Sequence, residues 1–256
     1  MLYALYYRRI SLLASARFLC IIIQYLNKIM SKNLSKIFFV GLTGEKLNDL
    51  LLKINEAENF GLKDVSLFLE FFKKAERDKI YESLLASKIK NIPLVHIRHD
   101  FEKDELNFLK NKFKTKYFTI HESSFARDDI KKWKGFYKKL YLEMNFDNFV
   151  SNKVNVEKIG GFCVDLSHFK VGMEKLSRDF EYVFNKKGDI KYFDCNHLNG
   201  YNLKTNCDMH TINNLSDFDY LKTLPKFLFG KCIALETFNS VREQMEFKKY
   251  LSKILK

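Results

Sequence analysis

Proline is almost missing from this chain of 256 residues, with two, and glycine is scarce, with ten. A fold built of many tight turns, such as an all-β sandwich, needs more of both, and a disordered chain would hold fewer apolar residues. Cysteine occurs five times, as Cys20, Cys163, Cys195, Cys207 and Cys232, with no Cys-x-x-Cys pair. That argues against a zinc ribbon or a disulfide scaffold and suits reduced thiols in the cytoplasm. Cys163 and Cys195 lie inside apolar runs and read as small core residues. A transmembrane helix needs about 20 apolar residues without charge, and no such run occurs.

The nearest approach to one is the first thirty residues, apolar and aromatic but carrying Arg8, Arg9, Arg17 and Lys28. Arg17 inside the run, and its Asn-Lys-Ile-Met end, fit neither a membrane span nor a cleaved signal peptide. An extension upstream of a start at Met30, an amphipathic surface helix and a weak anchor are the readings left. The first fits best, because the repeating pattern of the chain begins only at Ile37. The expected organisation is an N-terminal extension, 1–30, and a single domain, 31–256. Of the net charge of +13, this extension holds +4, which leaves +9 for the domain. A basic surface attracts phosphates on a metabolite or on nucleic acid. Lysines spread this evenly also suit an ordinary solvated surface.

What the chain has in quantity is apolar residues, 46%, with 25 phenylalanines. They fall into eight strand-like runs: 37–42, 65–71, 92–98, 117–121, 139–145, 161–167, 190–197 and 231–238. Between most of them lie segments of helical periodicity with charged faces, as at 44–60, 75–89, 103–113 and 170–184, and 241–256 closes the chain. Strands alternating with helices pair in parallel through crossovers. Eight such units predict an α/β fold, a single-domain (β/α)8 TIM barrel. An open doubly wound sheet would want a glycine-rich phosphate turn after the first strand. Gly41 and Gly44 in GLTGEK match neither phosphate-loop spacing and read as turn glycines.

Metal-ligating side chains close these runs. His96 ends IPLVH, His121 ends YFTIH, Glu143 ends LYLE, Asp165 ends GFCVD, His197 ends KYFDCNH and Glu236 ends CIALE. His168 follows Asp165 by three residues, and His210 follows Asp208 by two. Alternate strand residues face a barrel's interior, so His96 with Arg98, Tyr141 with Glu143 and Asn145, Cys195 with His197 and Asn199, and Ala234 with Glu236 share inward faces. Burying so many carboxylates and imidazoles without a cation would be costly, so a divalent ion (Mn, Mg, Co or Zn) is expected at the C-terminal rim. His99 faces away from His96 and reads as a loop residue. Glu70 and Arg98 read as polar contacts for a small substrate, or as structural ion pairs. Trp133, in a lysine-rich stretch, reads as packing before the fifth strand rather than as a stacking platform.

In the order Glu, Asp-x-x-His, His, Asp-x-His, Glu, and above all in VDLSH (164–168), HLNG (197–200), DMH (208–210) and ALETFNS (234–240), residues 36–256 resemble the xylose-isomerase-like TIM barrels. That group includes sugar-phosphate isomerases and epimerases and endonuclease IV, of AP endonuclease family 2. Likeness to the epimerases implies one ion held by Glu143, Asp165, His197 and Glu236. The two glutamates would then be acid and base, and His168, with Asn199, Arg98 and Glu70, would contact a small phosphorylated or polyhydroxy substrate. Likeness to endonuclease IV implies three zinc ions, with His96, His121, His168, Asp208 and His210 as further ligands, and a nucleic-acid substrate. The isomerase or epimerase is the favoured expectation, because the short intervals leave little room for groove-entering loops and no aromatic-basic loop suited to flipping a nucleotide is visible.

Overall fold

The computed structural model describes residues 36–144 and 148–255. Eight parallel strands close in the order β1-β10-β7-β6-β5-β4-β3-β2. They are β1 Phe38–Leu42, β2 Val65–Phe68, β3 Leu94–His96, β4 Tyr117–His121, β5 Leu140–Glu143, β6 Gly161–Asp165, β7 Cys195–Leu198 and β10 Cys232–Leu235. An antiparallel hairpin, β8 Gly200–Asn202 and β9 Cys207–Met209, is inserted between β7 and β10. The fold is the (β/α)8 barrel that the alternation predicts. Among the described residues no helix is long and apolar enough to cross a membrane. The expectation for residues 1–30 lies outside the described residues.

The strands are near-continuous apolar runs because each is covered on both faces. One cluster of buried side chains joins strands to helices, and a second, of Phe68, Leu94, Tyr141, Cys163, Cys195, Cys232 and Ala234, fills the barrel. The register stacks this interior in layers. Cys163, Cys195 and Cys232 stand side by side on β6, β7 and β10, and Asp165 pairs with His197 one layer above. His121 and Glu143 pair in the same way on β4 and β5. The two core cysteines are where the apolar runs put them, beneath the ligands.

The helices Leu47–Asn59, Lys74–Ala86, Lys103–Phe113 and Val241–Ile254 fall where their periodicity predicts. The predicted 170–184 helix is two, Leu166–Lys175 and Arg178–Phe184. Leu176 turns left-handed at φ 51°, and Ser177 caps the second helix by accepting from the Phe180 amide at 3.3 Å. Among the described residues, the β4–β5 and β5–β6 crossings carry only short or 3-10 turns. Ile190–Tyr192, predicted as strand, is such a turn, and Arg98 and Glu70 lie past the ends of their strands. Gly41 corrects its reading as a turn glycine. It lies within β1, where a Cβ would come 1.6 Å from the Leu235 carbonyl oxygen. Trp133 is fully buried in a 3-10 turn and donates Nε1–H to the Phe101 carbonyl at 2.9 Å, so it packs as expected. His99 is exposed in a turn.

Candidate metal centre

Every ligand candidate reaches the C-terminal mouth of the barrel. Glu143, Asp165, His197 and Glu236 bring ligand atoms within 4.8 Å of one another, and all four are buried. Glu143 belongs also to a second group, with His96 and His121. His168, Asp208 and His210 form a third, half-buried group. Strand ends supply the first two. The third joins the first turn of the Leu166–Lys175 helix to the far strand of the hairpin and the residue just beyond it.

Local bonds fix these side chains. Asp165 caps its helix, accepting from the His168 amide and the Ser167 hydroxyl at 2.8 Å each on Oδ1. Its other oxygen accepts from Asn199 Nδ2 at 2.8 Å. Asn199 thus stands behind Asp165. His197 Nδ1 lies 3.0 Å from Glu143 Oε1 and 3.4 Å from Glu236 Oε2, and its Nε2 lies 3.4 Å from the Thr119 hydroxyl. Asp208 Oδ2 sits 3.3 Å from His168 Nε2 and 3.3 Å from His210 Nε2. His210 is held in turn by its Nδ1 beside the Glu236 carbonyl at 3.2 Å and by the Phe238 ring, 5.5 Å between centroids.

Two further candidates lie at the edge of the mouth. Glu70 Oε2 is 3.7 Å from His96 Nδ1. Arg98 Nε lies 3.4 Å from Asp100, which the buried Arg77 holds at 2.9 Å while Glu105 grips the rest of that guanidinium. This Arg77 network, Thr119 and the Phe68 ring 4.9 Å from His197 have no motif in the sequence to reveal them. The Asp165 cap does have one, an Asp directly before a helical run.

The donor set fits a cation. Both ring nitrogens of His96, Nδ1 of His121 and Oε2 of Glu143 are buried without a hydrogen-bond partner among the described residues. Orphaned buried acceptors are rare because they are costly. Burial holds His96 well below the usual imidazole range, so it stays neutral and offers a lone pair. Burial also pushes the Glu236 carboxyl well up and raises Glu70 to about 7. Burial works against ionisation of Glu143 too, yet the His197 imidazolium beside it holds it far below the usual range. In the third group burial is outweighed by neighbouring carboxylates, which lift His168 to about 10 and His210 to about 9. The protein keeps these carboxylates charged by protonating imidazoles, and a divalent ion would take over that role.

No family model matches this chain, and no curated protein does. The likeness drawn from its residues therefore rests on their order and on this geometry. The geometry shows a TIM barrel whose buried His, Asp and Glu groups could hold metal.

Three exposed rings follow the C-terminal ends of barrel strands. Phe71 follows β2, Phe149 follows β5 and Phe238 follows β10, and they are 52%, 62% and 40% exposed. A sequence cannot show which phenylalanines of so many are left uncovered.

Proposed function

We propose that the protein hydrolyses phosphoesters with three divalent ions, in the manner of endonuclease IV, and acts on abasic nucleic acid. The observation that carries this reading is the sharing of Glu143. It belongs to a four-residue group with Asp165, His197 and Glu236 and also to a group with His96 and His121; His96 groups with His197 and Glu236 as well, and His168, Asp208 and His210 make a separate group nearby. Imidazole and carboxylate donors of this kind suit zinc.

When bound, ions so held supply Lewis acidity to phosphate oxygens and an activated water. The chain's own residues do the rest. Glu143 spans two groups and fixes their spacing. Ser167 and Asn199 hold Asp165 in one rotamer, the preorganisation that metal affinity depends on. Arg98, steered by Asp100, brings a guanidinium to the mouth where a phosphate oxygen would lie. Phe71, Phe149 and Phe238 offer faces for sugar and base.

A sugar isomerase or epimerase with one ion is the second reading. It would use the four-residue group alone, with Glu143 and Glu236 as base and acid. It would use the orphaned nitrogens of His96 and His121 only as hydrogen-bond donors to substrate. Elemental analysis of the purified chain separates the two. Two or three zinc ions per chain, with cleavage of an oligonucleotide containing an abasic site, support the hydrolase. About one ion per chain, with turnover of sugar phosphates and none of the oligonucleotide, overturns it.

A further inference from the structure

A cavity of about 420 Å³ lies between the Leu47–Asn59 helix and the loop that follows β10. Small-molecule pockets run from about 300 to 1,000 Å³. Leu52 and Phe238, which also meets the His210 ring, give the cavity apolar walls. Glu45, Asp49 and Glu56 line it too, and Lys53 is the single basic residue of its lining.

Lys53 is buried, at 7% exposure, and its Nζ donates to the Thr237 carbonyl at 2.7 Å. Among the described residues no carboxylate oxygen lies within 4.0 Å of that nitrogen. Lys170, equally buried, is paired with Glu174. An ammonium buried without such a partner is costly, and the neutral amine is favoured instead. Burial lowers Lys53 from the ordinary 10.5 to about 8, against the pull of Glu56, Asp49 and Glu243. A lysine at 8 is about 9% free amine at pH 7, where one at 10.5 is about 0.03%. The bond to Thr237 survives deprotonation, because a neutral amine still has N–H to donate. It fixes the nitrogen and leaves the lone pair free.

We propose that Lys53 captures carbonyl compounds, and that the cavity takes a small neutral aldehyde as a Schiff base. Nζ attacks the carbonyl carbon, and a proton moves from nitrogen to the oxygen. The hydroxyl then leaves as water with the second amine proton, and C=N remains. No oxidant or reductant is needed. The imine, once protonated, is a cation with an N–H for Thr237, and the carboxylates of Glu45, Asp49 and Glu56 favour it. The same carboxylates repel a phosphorylated aldehyde, so the ligand is uncharged. The metal centre takes no part, and the capture is independent of the reaction proposed above.

The test is reductive trapping of the full chain at about pH 7, in EDTA, with glyceraldehyde and cyanoborohydride, read by peptide mass mapping. Removing metal separates this outcome from that of the proposed hydrolase. Lys53 is expected to be modified at least about tenfold faster than the exposed lysines, given its larger free-amine fraction. Lys53→Arg keeps a donor for the Thr237 carbonyl. It is expected to lose the fast modification while circular dichroism stays unchanged. Glyceraldehyde 3-phosphate is expected to be trapped at Lys53 more slowly than glyceraldehyde. Modification of Lys53 no faster than that of exposed lysines, or equal trapping of the two aldehydes there, would each overturn the proposal.

Discussion

Glu143 is buried, and its Oε2 meets no donor among the described residues. It is therefore the side chain whose loss should unload the most metal. Glu143→Gln is expected to leave about one ion per chain, in the His168–Asp208–His210 group, and to abolish hydrolysis while circular dichroism stays unchanged. Retention of every ion would remove Glu143 from its shared role. Glu236→Gln is expected to end turnover with the fold intact, since burial rather than packing defines that carboxyl. Asn199→Ala frees Asp165 from its 2.8 Å bond. Loss of such an outer partner weakens metal binding about 10–100-fold, and a competition titration against a chromophoric chelator reads that change.

At the scale of elements, one side chain of the last helix ties it to β1. Gln244 is fully buried, accepts from the Gly41 amide at 2.7 Å and donates to the Gly41 carbonyl at 3.0 Å. Gln244→Ala leaves both backbone groups unpaired, at about 1–3 kcal/mol each, and urea denaturation is expected to show a loss of about 2–6 kcal/mol. The eight barrel strands were legible because strands covered on both faces read as unbroken apolar runs, and the inner ligands His96, His121, Glu143, Asp165, His197 and Glu236 were legible because each closes such a run. The β8–β9 hairpin was not, since three-residue strands such as GYN and CDM leave no period to read. The break at Leu176 was hidden as well. Apolar spacing runs through it, and only the left-handed backbone there separates the two helices. Asp208 and His210 were found as a motif, yet the fact that the hairpin carries them to His168 comes from tertiary structure alone.

For the whole molecule, the metal centre is a concentration of buried ionisable groups that the apo protein must tolerate. A ligand present at 1,000 times its Kd stabilises the fold by about 4 kcal/mol, and a domain of this size gains roughly 2–4 °C per kcal/mol. Treatment with EDTA is accordingly expected to lower Tm by about 10 °C or more in a calorimetric scan, and added zinc to restore it. An unchanged Tm would mean that no ion contributes to the fold. The shared Glu143 has one more consequence, for how the centre fills. Two sites that use one carboxylate are thermodynamically linked. An ion in either one fixes the rotamer the other needs but also draws on the same negative charge, and whatever coupling results is reciprocal. The inner pair will therefore load with one joint isotherm, positively or negatively cooperative, and the outer group, whose His168 and His210 feel Asp165 and Glu236, is coupled to them through charge.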